Sequence, residues 1–385
     1  MEDLWHSSTR QVAVGDSRIS IVAAGDCPGR VMDRYIEPLV RAAGPQRGPF
    51  IDVCGWDGAL AAALAAISNG ARGVCNSHLI GSAKSAEANL TAYDFDVRSA
   101  YGVEPAQVGR FDTALIRAPY WLGNRAVQAL IEAAWRSLRV GGVAYLAGER
   151  GRGFDSFAKM LNDAFAECEP VAVPGHICVN RARRVEGRSS LAPVFTSEFG
   201  ESSVAIGESD LLVARHPAVF ADGAVDDATR LLTDCLPESS RNQLDLGCGS
   251  GLVAVAMAQK SPESQVTAVD SNLMAVEVCE KTVDLNGLCN VHVRPSYFGE
   301  DLAAGSFDVI ACYPPFHVGP NVAHDVARRL MREAARLLNP TGGFLVVQSS
   351  AQSHEGLLKS CFGHVSLLAQ SRSHRVLRCE NPATE

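Results

Sequence analysis

Short apolar runs alternate with longer stretches of helical periodicity along this chain, and the alternation is written twice. In the second half, Gln243–Leu246 predicts a buried strand and the alanine-rich Val253–Lys260 a helix. Gln265–Val269 predicts another strand, and Met274–Asn286 a helix stopped at Gly287. Phe307–Cys312 reads as a strand. His324–Leu338 is amphipathic, with Val326, Leu330, Ala334, Leu337 and Leu338 apolar, and the strand Phe344–Gln348 follows it. Elements of these lengths in this order predict a parallel sheet covered by helices on both faces. Each half closes on two further β runs, Pro170–Val173 with His176–Arg183 and Val365–Leu368 with His374–Cys379, the pattern of an antiparallel hairpin.

The two halves are copies. Phe50-Ile-Asp-Val-Cys-Gly-Trp-Asp-Gly58 parallels Gln243-Leu-Asp-Leu-Gly-Cys-Gly-Ser-Gly251, and Gly73-Val-Cys-Asn-Ser-His-Leu79 parallels Thr267-Ala-Val-Asp-Ser-Asn-Leu273. Phe111-Asp-Thr-Ala-Leu-Ile-Arg-Ala-Pro-Tyr-Trp121 parallels Phe307-Asp-Val-Ile-Ala-Cys-Tyr-Pro-Pro-Phe-His317, and Arg139 onward parallels Asn339 onward. The offset is 193 residues from Phe50 to Gln243, 196 from Phe111 to Phe307 and 200 from Arg139 to Asn339. Chance does not hold order and offset over four segments. A polar, Gly/Ser-rich stretch with one proline, residues 186–203, reads as the linker between a domain at 1–185 and one at 204–385.

Composition narrows the class. At 385 residues, 47% hydrophobic and 20% charged, the chain has material for two cores. It carries no apolar run approaching the roughly 18 residues of a membrane span, and its first residues lack the basic start and apolar core of a secretory signal. The twelve cysteines are scattered without a Cys-x-x-Cys pair, so reduced thiols in a cytoplasmic protein are expected rather than disulfides or a metal site. A net charge of −8 removes whole-chain basicity as an argument for nucleic acid. Two local arginine clusters remain as RNA-contact candidates, Arg181, Arg183, Arg184 and Arg188, and Arg328, Arg329, Arg332 and Arg336. Only five of the 35 basic residues are lysine, and genome composition accounts for that bias as readily as RNA binding does.

The chemistry is concentrated in the second copy. Ligands of an open α/β sheet sit beyond the C-terminal strand ends, where the topology reverses. Gly247, Gly249 and Gly251 follow the first strand, after Asp245. Glycine allows close backbone approach there, and the next helix turns its positive end to the site. Asp270 ends the second strand, in place to accept from two ribose hydroxyls. Leu273 covers one face of an adenine, with Ser296 and Tyr297 beside it. The loop is Gly-x-Gly-x-Gly rather than the Gly-x-Gly-x-x-Gly of nicotinamide enzymes, which points to S-adenosyl-L-methionine. In the first copy Cys54 and Trp56 replace the first two glycines and Asn76 replaces the acid, so residues 1–185 are expected to be non-catalytic.

With both halves in view, the chain resembles the tandem-domain ribosomal RNA guanine-N2 methyltransferases over nearly its whole length. The motifs that carry this are the glycine loop, Tyr313-Pro-Pro-Phe-His317 and Val219-Phe220-Ala-Asp-Gly-Ala-Val-Asp226-Asp-Ala-Thr229. The resemblance implies two Rossmann-like class I methyltransferase domains. Each is a mostly parallel seven-stranded sheet with helices on both faces and a C-terminal antiparallel hairpin, and only the second is active. It also implies that Thr229 contacts the methionine end of the cofactor. The family's usual glycine before that hydroxyl residue is Ala228 here.

The family's acceptor motif is Asn-Pro-Pro-Phe-His, in which the amide oxygen and the carbonyl beside the first proline hold an exocyclic amine while the phenyl ring stacks on the base. This chain keeps Pro314, Pro315, Phe316 and His317 but places Tyr313 at the asparagine. Three readings of Tyr313 stand at this point. It is an altered acceptor for an amine, guanine included; it marks a smaller acceptor, such as a natural-product amine or hydroxyl; or it marks a second copy without activity. His317 reads equally as a base and as a structural or base-contacting residue. RNA methylation, small-molecule methylation and a non-catalytic RNA-binding or assembly role are therefore the functional expectations.

Overall fold

The computed structural model of the protein describes residues 8–14, 17–24, 27, 32–102, 110–165, 167–187, 200–206, 209–216, 219, 225–315, 317–318, 321–322, 324–351 and 354–383. The chain divides into two compact units, Met1–Glu198 with His317–Asn321 and Phe199–Phe316 with Val322–Glu385.

The first unit opens on a hairpin of β1 (Ser8–Val14) and β2 (Ser17–Ala23), followed by α1 (Ile36–Ala43). Its sheet is built from β3 (Phe50–Asp52), β4 (Gly73–Ser77), β5 (Val97–Tyr101), β6 (Phe111–Arg117), β7 (Leu138–Glu149), β8 (Cys168–Val171) and β9 (Ile177–Arg183). The connecting helices are α2 (Ala59–Ile67), α3 (Ile80–Ala92), α4 (Gly123–Ser137) and α5 (Phe154–Phe165). The sheet order is β5-β4-β3-β6-β7-β9-β8.

The second unit repeats this plan. Its leading hairpin is β10 (Gly200–Ile206) and β11 (Ser209–Arg215), followed by α6 (Asp227–Asp234). The sheet strands are β12 (Asn242–Leu246), β13 (Gln265–Asp270), β14 (Val291–Pro295) and β15 (Phe307–Cys312). Beyond β15 come the two-residue strands β16 (His317–Val318), in the segment grouped with the first unit, and β17 (Asn321–Val322), then β18 (Leu338–Ser349), β19 (Phe362–Gln370) and β20 (His374–Pro382). Its helices are α7 (Leu252–Lys260), α8 (Leu273–Leu285), α9 (His324–Leu337) and α10 (Glu355–Cys361). The order β14-β13-β12-β15-β18-β20-β19 is that of the first sheet, with five parallel strands and a closing antiparallel pair. Both sheets also share a register irregularity, between Phe111 and Thr113 and between Phe307 and Val309.

The expected seven-stranded architecture is present in both copies. Its core helices α2 and α7 are apolar on every side and buried from Ala59 to Ala65 and from Leu252 to Ala258, as helices without a polar face must be. Each starts at a left-handed glycine pressed on the following helix. A Cβ on Gly58 would stand 3.0 Å from Ala86 Cα, and one on Gly251 would stand 2.8 Å from Cys279 Sγ. All twelve cysteines are free thiols.

The strand β10 begins at Gly200, inside the stretch read from the sequence as linker. Its residues pair with Ser209–Arg215 and bury Ile206, so cross-strand pairing outweighs the polar composition of 200–203. The leading hairpins are themselves duplicated and are held alike, by an asparagine on the second helix of the first sheet and one capping the C-terminus of the second helix of the other. Asn89 accepts from Val22 N at 2.8 Å and donates to Val22 O at 2.7 Å. Asn286 accepts from Leu212 N at 3.2 Å and donates to Leu212 O at 2.7 Å.

Candidate active site

The switch of strand order falls between β12 and β15, which run parallel with Asp245 opposite Ala311. Two residues beyond these partners stand Gly247 on one strand end and Tyr313 on the other. The glycine loop and the acceptor motif therefore begin about one strand spacing, ~4.8 Å, apart.

The loop is shaped by hydrogen bonds to its own sheet. Gly247 N and Cys248 N both donate to Val269 O at 2.9 Å. Gly247, Gly249 and Gly251 have φ of 91°, 51° and 85°, a region costly for residues with a Cβ. A Cβ on Gly247 or Gly249 would meet nothing within 4 Å, so open space lies over the loop where a ligand can approach the backbone. Asp270 binds the loop to the next helix: its Oδ2 accepts from Gly249 N at 3.0 Å and its Oδ1 from Asn272 N at 2.9 Å. The carboxylate keeps acceptor capacity for a ribose hydroxyl. Burial raises the Asp270 carboxyl above the ordinary range, opposed by the N–H groups of Asn272, Gly249 and Ser271.

Asp245 is buried one layer below, and its Oδ2 accepts from Ala254 N at 2.9 Å. Burial pushes its carboxyl up to about 7; the Ala254 N–H opposes the shift and the charge of Asp270 adds to it. Raised in the fold, this group contributes stability that is fully present below its ordinary value of 3.8 and is lost as pH rises through about 7. Denaturant titrations of the cofactor-free protein are expected to show stability falling across that interval. Asp245→Asn, which keeps an acceptor for Ala254 N, should flatten the slope; an unchanged slope would remove Asp245 as its source.

Around the loop, Leu273 is the first residue of α8 and half-buried. Ser296 and Tyr297 follow β14 and are buried. Ser296 N donates to Asp270 O at 3.0 Å, but its hydroxyl is engaged by Asp301, which also pairs with Arg294. That hydrogen bond fixes the turn after β14. Tyr297 packs on Phe298 with ring centroids 4.6 Å apart, and Phe298 itself takes φ 59°.

On the acceptor side, Asp226 is the N-cap of α6 and its Oδ1 accepts from Thr229 N at 2.7 Å. Its other oxygen, Oδ2, accepts from the Tyr313 hydroxyl at 3.0 Å. Tyr313 is half-buried, its ring meeting the His374 ring edge-on at 6.4 Å. Burial raises the phenol above its usual value, and the charge and hydrogen bond of Asp226 raise it further. Pro314 is buried and Pro315 exposed. Phe316 lies outside the described residues; of His317 only the backbone, in β16, is described. The Tyr313–Asp226 pair was not foreseen, because 87 residues separate its members.

The first copy answers the same positions differently. Arg117, in the place of Tyr313, is fully buried and turns back over β3. Its Nη2 donates to Asp52 Oδ2 at 3.0 Å and to the carbonyls of Cys54 at 3.1 Å and Gly55 at 3.3 Å. Trp56, in the place of Gly249, is held at φ 44° with its ring 6.0 Å from that of Trp121. Cys54 and Trp56, which stand where Gly247 and Gly249 leave open space, are both buried side chains, so this loop is packed shut where the second is open. Trp56 was singled out from the sequence; Arg117 was not. A charged residue closing an apolar strand, aligned with the acceptor position, was the available signal.

The arginine clusters are largely occupied. Arg181 pairs with Glu169 at 2.6 Å, Arg183 donates to Gly141 O at 2.9 Å, and Arg184 lies over the Trp135 ring at 4.2 Å. Arg188 is outside the described residues. On α9, Arg329 and Arg336 pair with the buried Glu333, while Arg328 and Arg332 are exposed. Among the described residues, no three His, Cys, Asp or Glu side chains converge as a metal site would require, and no helix is long and apolar enough to cross a membrane.

The open glycine loop, the acid closing the second strand and the acceptor motif on the neighbouring strand end together define an S-adenosylmethionine-dependent class I methyltransferase. The family described as the methyltransferase small domain matches residues 210–378. Ribosomal RNA small subunit methyltransferase C of Escherichia coli K12 is 32% identical over 266 residues, covering 67% of this chain and 73% of that protein. Its namesake from Shewanella amazonensis is 30% identical over 247 residues, covering 63% and 70%. A T. thermophilus 16S rRNA N2 methyltransferase, solved in complex with AdoMet and guanosine, matches with a TM-score of 0.77 at 26% identity, covering 99% of this chain and all of that one. The chain belongs to the ribosomal RNA small subunit methyltransferase C family.

Proposed function

We propose that this enzyme methylates the exocyclic N2 amine of a guanine in small-subunit ribosomal RNA, using the second unit as its catalytic domain. The observation that carries this reading is the side-by-side placement of the Gly247–Gly251 loop and the Tyr313-Pro314-Pro315 segment at the ends of two paired strands. The names of the family relatives and the guanosine held by the T. thermophilus enzyme support the choice of acceptor.

When bound, S-adenosylmethionine supplies an electrophilic methyl group on a sulfonium. The chain's own part is positioning. Asp270 holds the ribose, Leu273 and the Ser296–Tyr297 turn border the adenine, and the loop with Thr229 receives the methionine end. Tyr313 and the backbone beside Pro314 orient the amine so that its lone pair faces the methyl group, and the family resemblance gives Phe316 the stacking role on the base. The prolines fix the direction of the carbonyl. A guanine amine is neutral before attack, so orientation and exclusion of water carry the rate, and the surplus proton leaves afterwards.

The first unit is, on this reading, a non-catalytic copy. Arg117 and Trp56 occupy the space over β3, and the role left to it is packing or RNA contact. Arg328 and Arg332 of the second unit offer charge to phosphates.

Transfer of labelled methyl groups to isolated small ribosomal subunits and to free ribosomal RNA tests the acceptor. Label is expected in RNA with the wild-type protein and with Tyr313→Asn, which restores the family's side chain. RNA free of label with both proteins would refute the reading.

A further inference from the structure

We propose that Tyr313 and Asp226 act as one amine-recognition element, in which Asp226 fixes the polarity of the phenol so that Tyr313 can only accept a hydrogen bond from the acceptor's NH2 group. The proposal rests on the guanine reading above and adds the groups that select the amine.

A free tyrosine hydroxyl is ambivalent: it donates or accepts as its hydrogen rotates. At the position where the family uses a carboxamide oxygen, that freedom would weaken the selection of an amine over a carbonyl. Here the hydrogen is committed. The phenol donates to Asp226 Oδ2 at 3.0 Å, and what the oxygen has left to offer is lone pairs. Donation to a carboxylate also enriches the phenolic oxygen and strengthens it as an acceptor. Asp226 cannot turn away, because its second oxygen caps α6 through Thr229 N at 2.7 Å. The arrangement keeps the function of the missing amide oxygen with a longer side chain anchored from behind. Tyr313 touches the acceptor; Asp226 is a positioning residue that acts through it.

The cap makes the pair testable without unfolding the helix. In Asp226→Asn one side-chain atom must still be an oxygen facing Thr229 N, since the amide nitrogen there would meet another donor. The amide nitrogen is then forced toward Tyr313, donates to the phenol, and turns the phenolic hydrogen toward the amine. Donor meets donor, while the N-cap, the size of the side chain and the fold stay as they were.

The measurement is the affinity of guanosine and of inosine, which lacks the exocyclic amine, for the full-length protein saturated with S-adenosylhomocysteine, by calorimetry or ligand-observed NMR. Wild type is expected to prefer guanosine by about tenfold, the worth of one such hydrogen bond. Asp226→Asn should lose that preference at an unchanged melting temperature and an unchanged affinity for S-adenosylhomocysteine, with inosine binding unaltered. Tyr313→Phe, which leaves the Asp226 cap in place, should lose it too and decides the matter if Asp226→Asn melts early. A preference retained in either folded variant, or none in wild type, overturns the proposal. Wild type that prefers guanosine yet labels no RNA refutes the ribosomal reading and leaves the pair standing. Labelled RNA with an Asp226→Asn enzyme of wild-type kcat and preference does the reverse.

Discussion

Replacing Asp270 with alanine is expected to lower the affinity for S-adenosylmethionine by at least roughly 100-fold, from the loss of two or more charge-assisted hydrogen bonds at about 1.5–3 kcal/mol each. The loss has two sources. Asp270 is the acceptor for Gly249 N and Asn272 N, so its removal frees a loop held at φ 51° as well as the start of α8. It also removes the carboxylate proposed to hold the ribose hydroxyls. Asp270→Asn separates the two. Its amide offers one oxygen where the loop and helix need two acceptors, so an intermediate loss is expected. Calorimetric titration with S-adenosylmethionine and with S-adenosylhomocysteine is the check, and equal affinity in wild type and Asp270→Ala would end the site assignment.

Arg117→Ala is expected to destabilise the first unit by about 3–5 kcal/mol, the usual cost of leaving one member of a buried ion pair alone. Asp52 and Arg117 are both fully inaccessible, with their charged atoms 3.0 Å apart. Burial already raises the Asp52 carboxyl, and Arg117 is the largest influence holding it down. Without the guanidinium, Asp52 must stay protonated or pull in water, and the carbonyls of Cys54 and Gly55 lose their donor. The pair is not a well-satisfied one. Arg117 Nε and Nη1 and Asp52 Oδ1 are buried without a hydrogen-bond partner. The double variant Asp52→Leu/Arg117→Met should therefore recover most of the loss. Denaturant unfolding followed by Trp fluorescence checks this, since Trp56 and Trp121 lie in the same unit. A single variant as stable as wild type, or a double variant no better than the single, would contradict the account.

The second copy's site was legible in the sequence to different depths. The glycine loop could be read because its chemistry is local: three glycines follow one apolar run, and the backbone conformations they permit are the ones observed. Asp270 could be read for the same reason, as the last residue of a strand. The turn after β14 that carries Ser296 could be placed, but the engagement of its hydroxyl by Asp301 five residues on lies within a turn that has no repeating pattern and gave no signal. The Tyr313 question could be posed but not answered from the chain, because its partner lies 87 residues earlier at a helix start.

The sequence by itself determined the duplication, the α/β alternation and the copy that keeps its loop, because periodicity, glycine and strand-end acids act within a few residues of themselves; the seven-strand plan came from the family resemblance. The tertiary structure decided which partners the two acceptor-position residues take. It turned Arg117 inward onto Asp52 and closed the first copy; it set Tyr313 against Asp226 and left the second open. Those outcomes depend on which strand ends and helix caps meet in space, and a hydrogen bond of 3.0 Å between distant residues leaves no trace in the pattern of either segment.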